Sequence, residues 1–99
     1  MIRVVYEFEV VQGKEEQLHE AWRAIVLAHS KEGALESTLA HDPEASGNRF
    51  VAISRWRSRA HWEEGRRDDA APEAYASFRD AVEVLSRRVL IENETLRAT

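Results

Sequence analysis

The run Phe50 to Trp62, FVAISRWRSRAHW, constrains this chain more than any other stretch. Phe50, Ala52, Ser54 and Trp56 alternate with Val51, Ile53, Arg55 and Arg57, which predicts a β-strand over Arg49 to Arg57. Ser58 is a good helix cap, and Trp62 falls early in the helix that it starts. Two of the three tryptophans therefore bracket one strand-to-helix corner. Large aromatics at such a corner either fill a core or wall a pocket for a flat ligand.

The remaining elements follow from the same periodicities. Val4, Tyr6, Phe8 and Val10 alternate with Arg3, Glu7 and Glu9, with Val5 and Val11 among the latter, so Ile2 to Val11 reads as a half-buried strand. Gln12, Gly13 and Lys14 break it. From Lys14 to Ser30 the residues Leu18, Ala21, Trp22, Ile25, Ala28 and His29 form a helical stripe. Glu15 and Glu16 suit the positive end of that helix, and Gly33 sits where a helix-ending glycine belongs.

Ala34 to His41 is a weaker strand, and Asp42 to Asn48 a hairpin loop. The short helix after Ser58 is expected to fail near Gly65 to Asp69. Pro72 suits the first turn of the next helix, with Ala74, Phe78, Ala81, Val82 and Leu85 as its stripe and Tyr75 at the edge. Arg87 and Arg88 would favour its negative end, and Val89 to Leu96 would be the last strand.

This order, βαββααβ, predicts an α+β fold: one ferredoxin-like domain over residues 1–99, with a four-stranded antiparallel sheet and helices on one face. The first strand lies between the third and fourth. Tyr6, Phe8, Phe50 and Trp56 face the helices. The open face carries Glu7 and Glu9 beside Arg55 and Arg57, with Glu92 and Glu94, a favourable cross-strand pattern. Val5, Val11, Val51, Ile53, Leu90 and Leu96 share that face. Such an apolar set predicts a homodimer through the open sheet face rather than a solvated monomer.

The net charge of −4 argues against nucleic acid as the main partner. Arg55, Arg57, Arg59, Arg66 and Arg67 cluster, but acids interleave with them, so they read as a salt-bridged surface. With no cysteine there is no disulfide, thiolate metal site or cysteine nucleophile. No signal peptide and no membrane-spanning run is evident, so a cytoplasmic protein is expected. The four histidines lack HxH or HxxxH spacing, and no acidic cluster has ligand spacing. No metal is expected. There is neither a G-x-S-x-G elbow nor a glycine-rich phosphate loop.

The segments VVYEFEVVQGKEEQLHEAW and RFVAISRWRSRAHWEE resemble the antibiotic biosynthesis monooxygenase family, and the likeness extends over nearly the whole chain. The resemblance implies a dimeric α/β barrel with a pocket in each subunit between sheet and helices. It also implies oxidation of phenolic polycyclic substrates to quinones by O2, without metal, flavin or other prosthetic group. Trp56 matches the strand-end tryptophan of the quinone-forming members. Trp62 stands where they carry a tyrosine, and Ala52 where they carry an asparagine expected to hold substrate oxygens. Haem-degrading members need an asparagine, a tryptophan and a histidine where this chain has Tyr6, about Gly65 and about Tyr75. No haem oxygenase activity is expected.

On this reading Tyr6, Trp22, Ser54, Trp56, Trp62 and Phe78 line a substrate pocket for a small aromatic molecule. His29 and Tyr75 are the candidate catalytic groups, because phenol deprotonation needs a base or hydrogen-bond acceptor nearby. The plainer reading makes each aromatic a core residue, His29 a satisfied core histidine, and Ser54 a small residue that leaves room for the helices. His41 sits at a loop edge; His19 and His61 look solvent-facing. Arg79 could hold an oxyanion, but its helix position reads as exposed. Two functions remain open: a cofactor-independent monooxygenase acting on a phenolic or quinol-type substrate, or a non-catalytic ligand-binding or assembly module of the same fold. An isomerase or lyase that turns over without O2 is a third.

Overall fold

The computed structural model describes residues 1–66 and 71–98. Its elements are β1 (Ile2–Val10), α1 (Glu15–Ser30), β2 (Ala34–His41), β3 (Arg49–Trp56), α2 (Arg59–Gly65), α3 (Pro72–Ala81) and β4 (Val82–Ile91). The strands form one sheet in the order β2-β3-β1-β4. All three pairings are antiparallel, and β1 lies between β3 and β4 as the order of the elements predicts.

The alternation sorts the two faces. Val4, Phe8 and Val10 on β1 and Phe50 and Trp56 on β3 are buried under the helices. They form two clusters, one around Phe8, Leu18 and Phe50, the other around Val4, Trp56 and Trp62, with Tyr6 packed against both. From α1, Leu18, Ala21 and Ile25 enter the core on one helical stripe. Gln17 ties α1 to α3 by donating from Nε2 to the Ser77 carbonyl at 2.9 Å, and Lys14 Nζ meets Asp80 Oδ2 at 2.7 Å.

Ser58 caps α2 as expected, its Oγ accepting the His61 N–H at 3.2 Å. The helix ends at Gly65; Arg67 and Asp69 lie outside the described residues. Pro72 occupies the first turn of α3. Gly33 has φ 103°, and a β-carbon there would stand 2.8 Å from the His61 ring, so the turn after α1 needs glycine on both counts.

The last part of the chain departs from expectation. Periodicity extends the final helix past Val82 and Leu85 to Arg87 and Arg88, with the strand over Val89 to Leu96. Instead the helix stops at Ala81, and β4 runs from Val82 to Ile91. Val82 is already extended (φ −136°, ψ 160°). Val82 and Val84 pair with Val10 and Phe8, so Val82 reaches the core, Val84 stays half exposed, and the backbone of both completes the ladder. Arg87 and Arg88 are therefore strand residues, and Glu94 and the exposed Leu96 lie beyond the strand.

A register shift interrupts β4: Phe8 faces Val84, but Glu7 faces Ser86, leaving Leu85 as an extra residue. Beyond this bulge Arg87 pairs with Tyr6, on the face covered by the helices.

The open face keeps its predicted charge pattern with different partners. Arg49 Nη1 donates to Glu7 Oε1 at 2.6 Å. Glu92 accepts from Arg55 Nε at 2.6 Å and Nη2 at 3.0 Å, and from Arg3 Nε at 3.0 Å. Val5, Val51, Ile53 and Leu90 stand at the alternating positions that share this face. Arg57 lies just past β3. No helix among the described residues is long and apolar enough to cross a membrane.

Candidate functional site

A cavity of about 300 Å³ separates the inner face of the sheet from the three helices. This is at the small end of the usual range for ligand sites. Tyr6 on β1 and Ala52 and Ser54 on β3 supply its sheet side. Trp22, Val26 and His29 line it from α1, Trp62 from α2, and Tyr75 and Phe78 from α3. The two-residue period of β3 and the three- and four-residue steps of the helices bring these side chains to one volume.

Inside this largely apolar space His29 Nε2 and the Tyr75 hydroxyl are hydrogen-bonded. Burial takes water from the imidazole and lowers its pKa from 6.5 to about 4. At neutral pH the ring is therefore uncharged, with one nitrogen able to accept a proton.

Trp56 does not line the cavity. It is fully buried behind it, with its ring centroid 5.1 Å from that of His29. Its Nε1–H donates to Ser54 Oγ at 2.9 Å. Ser54 thus spends a lone pair on Trp56 and keeps its own O–H to donate. Ala52 contributes only a methyl group. Phe78 serves two regions: it borders the cavity and sets its ring edge against Phe8, with centroids 5.3 Å apart. Trp62 is similarly shared between the cavity and the core beside Trp56.

Seven of the eight residues singled out from the sequence, Tyr6, Trp22, His29, Ser54, Trp62, Tyr75 and Phe78, come together around this space; Trp56 supports it from behind. The sequence did not single out Val26, Ser37, Val84 or Arg66, which also line it. Arg66 was lost in the arginine cluster, and Val84 in the helical misreading of β4. Arg79 is exposed, as its position predicted, and still reaches the lining.

The other histidines stand elsewhere. His19 touches the edge of Phe50, His41 is exposed beside the same ring, and His61 is hydrogen-bonded to Ser58. Among the described residues no group of three or more His, Asp or Glu is placed to hold a metal ion.

The fold recurs in solved structures. SnoaB from Streptomyces nogalater, described as a cofactor-independent oxygenase, superposes with a TM-score of 0.80 at 15% identity, over 98% of this chain and 97% of its own. Rv0793 from Mycobacterium tuberculosis gives 0.76 at 20% identity, covering 97% and 98%. HapK from Hahella chejuensis gives 0.75 at 11%, covering 100% and 99%. At such identities the likeness shows the fold alone. No curated protein sequence matches the chain. A family model described as antibiotic biosynthesis monooxygenase matches residues 1–83, most of the chain, and the order βαββααβ agrees with it. The chain belongs to the antibiotic biosynthesis monooxygenase family.

Proposed function

We propose that the protein is a cofactor-independent monooxygenase that oxidises a small phenolic or quinol-type aromatic with O2 and works as a homodimer. The observation that carries this reading is the hydrogen-bonded pair His29 and Tyr75 inside an aromatic-walled cavity. Trp22, Trp62 and Phe78 offer flat surfaces to a ring system, and Ser54 offers a hydroxyl donor.

The chemistry asks three things of the site: remove a proton, keep the anion from water, and admit O2. Neutral His29 receives the proton at Nε2 through Tyr75, whose hydroxyl passes its own proton to the imidazole as it takes the proton of the phenol. A buried imidazole of pKa about 4 is a weak base in the empty site. The phenolate forming beside it supplies the opposite charge that burial withholds, and the ion pair raises its proton affinity. The electron-rich anion reduces O2, and a C–O bond forms at the activated ring carbon to give a hydroperoxide. Cleavage of the O–O bond and loss of that carbon's remaining hydrogen release water and leave a carbonyl. One oxygen atom of O2 thus enters the product, and the other leaves as water.

The dimer draws on the open face, where Val5, Val51 and Leu90 sit among paired charges. Arg49 Nε is buried there without a hydrogen-bond partner among the described residues, a donor that a second copy could satisfy. A second reading, a non-catalytic module of the same fold, draws on Ala52, which leaves that part of the cavity without a polar group.

Oxygen uptake over a panel of hydroquinones and anthrone-like phenols tests the proposal, with 18O2 to follow the label into product. The expected result is uptake by the native protein, one labelled atom per product, and near-background rates for His29→Ala. Ligand binding without uptake across the panel would favour the module instead.

A further inference from the structure

We propose that the substrate carries a carboxylate, held at the Trp62 end of the cavity by Arg87 and Arg66. This rests on the reading of the cavity as an aromatic-substrate site and narrows its substrate class to hydroxyaryl carboxylic acids.

The bulge in β4 is the first observation. Without the bulge, with Leu85 paired as an ordinary strand residue, strict alternation from Val84 would send Arg87 to the open face. With it, Arg87 lies across from Tyr6, itself a cavity residue. Bulges are found next to active sites, where they re-aim a side chain.

The charge around Trp62 is the second. The Arg87 guanidinium carbon lies 5.3 Å from the centre of the Trp62 ring, and that of Arg66 lies 4.7 Å from it. Arg59 also reaches this ring, at 5.9 Å, but is neutralised by Glu63 at 3.1 Å. On the open face Arg3, Arg49 and Arg55 each have a glutamate. Among the described residues neither Arg66 nor Arg87 forms an ion pair. An indole face can hold one guanidinium by cation–π attraction, but two against the same ring repel each other. An anion between them removes that repulsion.

This basic spot opposes the sign of the whole chain, whose net charge is −4. Arg66 itself lines the cavity and is exposed, which places it at the rim. The planar guanidinium fork matches a carboxylate, and apolar walls strengthen each charge-assisted bond. A bound molecule would then present its phenol to the Tyr75 and His29 pair and its acid to Arg66 and Arg87.

The test compares 6-hydroxy-2-naphthoic acid with its methyl ester by anaerobic calorimetry, so that binding is read without turnover. The native protein is expected to bind the acid at least about tenfold more tightly than the ester. In the Arg66→Gln/Arg87→Gln protein the acid should fall to the level of the ester. The preference should also shrink as salt rises from about 0.02 to about 0.5 M, a check that needs no substitution. Equal binding of acid and ester overturns this inference and leaves the proposed oxidation standing. A preference that survives both arginine replacements also overturns it. If neither compound binds, the inference falls together with the aromatic-site reading beneath it.

Discussion

The ring of Trp56 lies so near Gly65 that a β-carbon on the glycine would stand 2.6 Å from its Cη2 and Cζ3 atoms. Glu32 Cβ would stand 3.0 Å away on another side. The end of α2 can close over the indole only because nothing projects from position 65. Gly65→Ala is therefore expected to cost about 1–3 kcal/mol through overpacking. The midpoint of urea unfolding measures it. A neutral or stabilising result would mean that Trp56 is free to shift.

Removing His29 should separate catalysis from stability. His29→Ala is expected to lower kcat by about 10²–10⁴-fold, the usual contribution of a positioned general base. Tyr75→Phe loses the relaying hydroxyl but leaves Nε2 free to take the proton, so kcat should fall less. Unfolding midpoints measured alongside reveal whether either loss reflects a damaged fold.

The same histidine should mark the acid side of stability. Its pKa is lowered from 6.5 to about 4, so between those values the unfolded chain binds the proton that the folded one refuses. Stability is therefore intact above about pH 6.5 and declines as pH falls towards 4. Denaturant midpoints across that range should slope downwards, and His29→Gln should flatten the slope. An unchanged slope would place the titration on another group.

Glu92 acts in a second, lower window. The hydrogen bond from Arg55, with Arg3 adding to it, outweighs desolvation and lowers its carboxyl from 4.5 to about 2. A depressed carboxylate contributes stability that is present above about pH 4.5 and is lost as pH falls towards 2. Glu92→Gln should remove this dependence and leave the His29 window untouched. The two variants thus act on adjoining parts of one acid titration.

If the open face is a dimer interface, light scattering will report about twice the chain mass of 11.4 kDa at micromolar concentration. Val51→Asp with Leu90→Asp places two unpaired charges on that face and should weaken association by at least about a hundredfold. Circular dichroism should be unchanged, because both side chains point away from the helices. A native monomer at micromolar concentration would end the dimer proposal.

Much of the architecture was legible because its signals were local. Val4, Tyr6, Phe8 and Val10 alternate without interruption, Ser58 and Pro72 open their helices, and the stripe of α1 is regular. The boundary between α3 and β4 was not legible. Ala81, Val82 and Leu85 continue the helical spacing of Phe78, and no glycine or proline separates helix from strand. The bulge then spoils the alternation that would have revealed β4, so Arg87 and Arg88 read as the charged end of a helix. Aromatic cavity residues could be named from composition and face. The meeting of His29 with Tyr75 could not, since it depends on how α1 and α3 pack residues 46 positions apart in the sequence.

In β4 the direction of a side chain depends on counting as much as on identity. Deleting Leu85 would remove the bulge and leave Ser86 opposite Glu7 and Arg87 opposite Tyr6, whereas drawing Leu85 into the ladder as an ordinary strand residue would carry Arg87 and Val89 to the open side. The bulge, and not the identity of the residues after it, thus decides on which face of the sheet the Arg87 charge stands. Relatives that lack the bulge, aligned without a gap at this point, would match a helix-side residue to an open-face one.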